Sequence, residues 1–189
     1  MIELRIKESI EAKQKLLSET KLLEGVQRVI DLIINTYRNG GKVLFCGNGG
    51  SAADAQHLAA EFSGRFYFDR PPLDAEALHV NTSYLTAVAN DYSYDEVFAR
   101  LVRAKGKKGD VLVAISTSGN SPNILKAIIE ANDIGMVTVG FTGETGGKMK
   151  PLCHHLINVP SKDTPRIQEM QVLLGHIICE LVESTIFPK

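Results

Sequence analysis

Charge of neither sign is in excess in this chain: 21 Lys and Arg stand against 22 Asp and Glu, a formal net charge of -1. Without a basic surplus to neutralise a phosphate backbone, nucleic-acid binding is not expected. No apolar run is long enough to span a bilayer. Met1 to Gln14 interleaves Glu3, Arg5, Lys7, Glu8, Glu11 and Lys13 with apolar residues and lacks the apolar core of a signal peptide. No membrane partner is expected. Cysteine is scarce and odd in number: Cys46, Cys153 and Cys179 lie scattered in or beside apolar runs. They read as reduced buried thiols, which argues against a disulfide framework and for a cytoplasmic location. Linkers, repeats and low-complexity stretches are also missing, so residues 1–189 are expected to form one domain with a sizeable core.

What is present is an alternation. Two amphipathic helices are predicted first, roughly Ile2 to Leu17 and Leu22 to Arg38, a helical extension over about residues 1–40. Val26, Val29, Ile30, Ile33 and Ile34 recur there at helical spacing, and Gly40-Gly41 stops the run. Short apolar runs follow at Lys42–Cys46, Glu76–Val80, Val111–Ile115, Met136–Phe141 and Leu156–Val159. Helical patterns separate them at Ser51–Phe62, Ser83–Asn90, Tyr94–Lys105 and Ser121–Asn132, with a shorter piece at Gly147–Cys153 and a last helix from about Pro165 to Thr185. This order predicts an α/β fold: a three-layer α-β-α sandwich around a five-stranded, mainly parallel sheet. Ligand is then expected in the crevice at the carboxyl ends of the strands.

Two of those ends stand out. After Val111–Ile115 comes Ser116-Thr117-Ser118-Gly119-Asn120-Ser121-Pro122, four hydroxyls and a glycine where a strand gives way to a helix. First-turn N–H groups and the helix dipole favour an anion there, and the loop has no Lys or Arg, so a phosphate would be held by hydroxyls and amides. A plain Ser/Thr helix cap is the alternative. The first strand ends in Gly47-Asn48-Gly49-Gly50-Ser51-Ala52, which matches G-x-G-x-x-A. A dinucleotide site also needs an acidic residue at the end of the second strand, and His79-Val80-Asn81 stands there instead. A dehydrogenase is therefore disfavoured; a tight turn bringing Asn48 and Ser51 to a smaller polar ligand fits better.

The helix after that turn carries His57 and Glu61, four apart on one face and about 6 Å along the axis. Such a pair can share a divalent metal, act as an acid–base pair, or lie on a solvated face. The small and apolar neighbours Ala52, Ala53, Ala55, Leu58, Ala59 and Ala60 suggest a buried helix rather than a solvated one. His176 sits within Leu173-Leu174-Gly175-His176-Ile177-Ile178, as a core residue or, beside a carboxylate, a proton-transfer group. Asn90-Asp91-Tyr92 reads as a helix stop or a polar contribution to the site.

In order along the chain, these elements closely resemble the SIS-domain sedoheptulose 7-phosphate isomerases, or phosphoheptose isomerases. The resemblance runs through Gly47-Asn48-Gly49-Gly50-Ser51, His57-x-x-x-Glu61-Phe62, Gly64-Arg65-Phe66, Asp69-Arg70-Pro71-Pro72-Leu73, Ala87-x-Ala89-Asn90-Asp91-Tyr92, Ile115 to Ser121, Arg166-Ile167-Gln168-Glu169 and His176. It implies the SIS fold and conversion of D-sedoheptulose 7-phosphate to D-glycero-D-manno-heptose 7-phosphate through an enediol. That product leads toward nucleotide-activated heptose for lipopolysaccharide or other surface glycans. By the same resemblance Ser116, Thr117, Ser118 and Ser121 bind phosphate, while Asn48, Gly49, Gly50, Ser51, Glu61, Asn90, Asp91 and Gln168 contribute to substrate binding. His57, Glu61, Gln168 and His176 correspond to ligands of one zinc ion per subunit, and Glu61 and His176 to the acid–base pair. A homotetramer with active sites at subunit interfaces is implied too. The chief alternative is a non-catalytic SIS module that binds sugar phosphate to regulate, one branch of which binds the replication initiator. That reading expects the acid–base residues to be lost.

Overall fold

The computed structural model describes residues 1–188. Two helices, α1 (Ile2–Ser18) and α2 (Thr20–Arg38), lead into β1 (Val43–Gly47) and α3 (Gly50–Ser63). Then follow β2 (Ala75–Ala77), α4 (Thr82–Asp91), a 3₁₀ turn at Tyr94–Glu96 and α5 (Val97–Lys105). The rest is β3 (Val111–Ile115), α6 (Pro122–Ile134), β4 (Val137–Thr142), a 3₁₀ turn at Gly147–Met149, β5 (His155–Asn158) and α7 (Thr164–Ile186). The five strands pair in the order β2-β1-β3-β4-β5, and every pairing is parallel.

Alternation along the strands sorts the core into two layers. Val43, Phe45, Val111, Val113, Val139 and Phe141 pack with residues of α2, α3 and α7 on one face. Leu44, Cys46, Leu112 and Ala114 pack with residues of α4, α5 and α6 on the other. Because β1 and β3 are buried at every position, their sequences read as unbroken apolar runs rather than as alternation. Burying each large side chain contributes about 1.5–3 kcal/mol, and Ile33, Leu44, Phe98, Leu112 and Phe141 are almost fully buried.

Two expected elements differ in extent. The second strand was expected over Glu76–Val80 but pairs only over Ala75–Ala77. The chain leaves the sheet there because Asn81 caps α4, its side chain accepting from Tyr84 N, and the capping position needs a turn just before it. The short piece expected at Gly147–Cys153 is a single 3₁₀ turn. All three cysteines are free. Burial raises the thiol pKa of each, that of Cys153 to about 12, so none is a reactive thiolate.

Candidate active site

β1 and β3 are neighbours, so the two turns singled out above emerge side by side from the carboxyl edge of the sheet. They are also tied together. Asn48 and Asn123, the latter in the first turn of α6, exchange amide hydrogen bonds of 2.9 Å in each direction. Tyr94 Oη donates to Asn48 Oδ1 at 3.1 Å. Ser51 is buried in the first turn of α3.

In the hydroxyl loop Ser121 occupies the N-cap position of α6, yet its side chain makes no cap hydrogen bond. It lies instead 3.1 Å from the hydroxyl of the buried Ser116. Simple capping does not account for the hydroxyls. Ser118 Oγ accepts from Asn120 N at 3.2 Å, which holds the loop in a tight curl. Thr117 and Ser118 line an open cleft of about 260 Å³ together with Thr145, Ser161 and Lys162.

A second cluster forms where α3 crosses α7. A Cβ on Gly50 would come 2.2 Å from Gln168 Nε2, and one on Gly175 would come 2.7 Å from Leu58 Cδ1 and Cδ2. These side-chain-free positions let the helices approach closely, which is why a glycine is kept in the middle of α7 despite its poor helix propensity. His176, next to Gly175, is thereby brought to His57: their Nε2 atoms are 2.7 Å apart, with ring centroids at 4.9 Å. At that distance one ring donates an N–H to the other. Glu61 Oε1 lies 3.6 Å from His57 Nδ1, and the Phe66 ring lies 5.8 Å from that of His176.

The structure therefore joins His57, Glu61 and His176 in one group and sets Gln168 against the glycine turn at the start of α3. A continuous α7 separates the Cα atoms of Gln168 and His176 by about 12 Å, so they meet α3 at opposite ends of the site. Asn90 and Asp91 hydrogen-bond to each other at the exposed end of α4, and their contacts are not with the His57 group. Asp54 was not anticipated. One turn before His57, it has a carboxyl raised in pKa by burial against the opposing pull of His57 and His176, and its Oδ2 has no hydrogen-bond partner. The spacing Asp54-x-x-His57-x-x-x-Glu61, all on one helical face, is the signal that could have disclosed it.

The donor chemistry suits zinc in part. Two converging imidazole nitrogens are common zinc donors, and a carboxylate near the other nitrogen of a ligating histidine is the usual orienting partner. Among the described residues, however, no three His, Cys, Asp or Glu side chains converge on one point. Asp54 Oδ2 is an unsatisfied buried oxygen near the histidine pair.

The parallel sheet in the order 2-1-3-4-5 is a doubly wound arrangement common to many α/β proteins; the sequence pattern of the SIS domain matches residues 7–143, and the chain belongs to that family. Within it, the chain belongs to the phosphoheptose isomerases, and so to the isomerase enzymes. It is 58% identical over 174 residues to the phosphoheptose isomerase of Burkholderia pseudomallei, covering 92% of this chain and 88% of that one. It is 53% identical over 186 residues to that of Clostridium acetobutylicum, covering 98% and 95%. The solved phosphoheptose isomerase of Neisseria gonorrhoeae superposes with a TM-score of 0.90 at 45% identity, covering 97% of each chain.

Proposed function

We propose that this chain interconverts D-sedoheptulose 7-phosphate and D-glycero-D-manno-heptose 7-phosphate, with Glu61 as the carbon base and His176 exchanging protons at oxygen. The observation that carries the assignment of roles is the meeting of His57, Glu61 and His176 from two helices more than a hundred residues apart in sequence, at 2.7 and 3.6 Å. In the ketose-to-aldose direction Glu61 takes a proton from C1. The C–H electron pair becomes the C1=C2 double bond of the enediol, and the former carbonyl oxygen accepts a proton from His176. His176, now deprotonated, takes the O1 proton as the C1 carbonyl forms, and Glu61 returns its proton to C2, so both groups end as they began and no redox partner is needed. Ser116, Thr117, Ser118 and Ser121 hold the phosphate, which fixes the reacting carbons relative to Glu61. Asn48, Gly49, Gly50, Ser51, Asn90, Asp91 and Gln168 line the sugar chain. Of the four residues that the resemblance implies for zinc, His57 and His176 offer the two converging nitrogens, and the Glu61 and Gln168 side chains would have to swing toward them to hold the ion, whose chemistry when bound is Lewis-acid polarisation of a carbonyl.

The test is direct. Purified protein given sedoheptulose 7-phosphate is expected to yield the aldose, resolved from its isomer by chromatography. Exhaustive chelation should remove most of that turnover, and added zinc should restore it. No conversion by the zinc-replete protein would favour the non-catalytic sugar-phosphate module; full activity without metal would remove zinc from the scheme.

A homotetramer with sites at subunit interfaces is part of the same reading. Along α1, Ile2, Ile6 and Ile10 are 80%, 57% and 50% exposed at four-residue spacing, an apolar stripe suited to another copy of the chain. Ile6→Glu/Ile10→Glu is expected to lower the mass measured by light scattering below four chains. A wild-type monomer at micromolar concentration would overturn the assembly. Free thiols at Cys46, Cys153 and Cys179 favour a cytoplasmic site of action. No helix among the described residues is long and apolar enough to cross a membrane.

A further inference from the structure

Beneath the His57–Glu61–His176 group lies a buried ion pair to which no role has been given. Arg70 and Glu183 are 2% and 1% exposed in their side chains, with Arg70 Nε 3.0 Å from Glu183 Oε1. Isolated charges would be costly in such a place, but this pair is almost fully engaged. Arg70 Nη2 donates to the backbone carbonyl of Glu61 at 2.9 Å. Its Nη1 donates to the carbonyl of Phe62 at 2.6 Å and to that of Pro71 at 3.1 Å. Glu61 and Phe62 lie in the last turn of α3, where carbonyls lack intrahelical partners and a cation is favoured by the helix dipole.

The carboxylate completes the clamp. Glu183 accepts from the backbone N–H groups of Phe66 and Tyr67, each at 2.8 Å, in the segment that carries the Phe66 ring to His176. Burial pushes the Glu183 carboxyl up, but these two amides and Arg70 outweigh it and hold the group below the usual carboxylate range. Glu183 is on α7, seven residues beyond His176. One ion pair thus joins the helix that carries His176 to the backbone of Glu61 itself.

We propose that Arg70, held by Glu183, is a positioning residue for the isomerase: it fixes the end of α3 so that the Glu61 carboxylate keeps its place beside His57 and His176. This rests on the reading of Glu61 as the base. Arg70 touches no reacting atom, and its effect is on the placement of one that does. A guanidinium can reach two successive carbonyls and a carboxylate at once; an ammonium cannot.

Arg70→Lys keeps the charge opposite Glu183 but loses the fork. Measured well below the melting temperature, on protein with native circular dichroism and native mass, it is expected to lower kcat by about 10–100-fold. KM for sedoheptulose 7-phosphate should stay near the wild-type value, because the phosphate loop lies on other elements. A merely structural role would lower the melting temperature and leave kcat per folded chain unchanged. If Arg70→Lys does not fold, Arg70→Met/Glu183→Met removes both charges together, leaves neither unpaired, and is expected to show the same loss confined to kcat. Wild-type kcat in the folded variant, or a change in KM alone, would overturn the inference while the isomerase reading stood. Wild-type protein without turnover would overturn that reading, and this inference with it.

Discussion

Glu61→Gln is expected to lower kcat by about 10²–10⁴-fold, the usual contribution of a general base, with substrate affinity by calorimetry and thermal stability little changed. Glutamine keeps the length and shape of the side chain, and its amide can still face His57 Nδ1 across the 3.6 Å contact. It cannot accept a proton from carbon. The fold around it is insulated from the change, because the anchoring of this part of α3 runs through the backbone carbonyl of Glu61 to Arg70, not through the carboxylate. Undiminished turnover in this variant would sink the proposed base. A variant that lost substrate binding as well would show that Glu61 contributes mainly to ground-state contacts.

Gly119→Ala should act at the other end of the substrate, raising KM for the sugar phosphate by about 10–100-fold, the equivalent of the 1–3 kcal/mol that a strained backbone position stores. Gly119 has φ +67°, and a Cβ there would come 2.4 Å from the carbonyl oxygen of Gly146 and 2.9 Å from Thr142 Oγ1. Neither neighbour can give way cheaply, since one is backbone and the other is buried at the end of β4. The loop must open, and with it the spacing of Ser116, Ser118 and Ser121. Steady-state kinetics on the folded variant would show the rise in KM. Unchanged KM would mean that the phosphate is held elsewhere.

Most of the fold was legible because its signals are local and repeated. The apolar runs at Val111–Ile115 and Met136–Phe141 are buried on both faces, so hydrophobicity alone marks them. β2 was the poorest reading, since three residues paired on one side leave little pattern, and Asn81 decides where the strand stops. At the candidate site, the glycine turn, the hydroxyl loop and the His57/Glu61 face could be read from spacing. The contact of His57 with His176 could not, because it spans 119 residues and depends on Gly50 and Gly175 allowing two helices to approach. Asp54 escaped notice because an acidic residue on a helix is ordinarily solvated. Arg70 entered only within a motif; its bonds to three backbone carbonyls and to Glu183, 113 residues away, have no signature in the sequence.

The edges of the sheet have a bearing on how chains associate. β2 and β5, at the two margins, contain only three and four residues, and Glu76 on β2 is held in an ion pair by Lys105 of α5. Margins so short, one of them carrying a paired charge, offer almost no free backbone on which a foreign strand could build. Sheet-to-sheet joining, whether into a dimer or a fibril, is thereby discouraged. The helices, not the sheet margins, are then the surfaces that a second copy of the chain would have to use, and the carboxyl ends of the strands are free of any demand that sheet pairing would make.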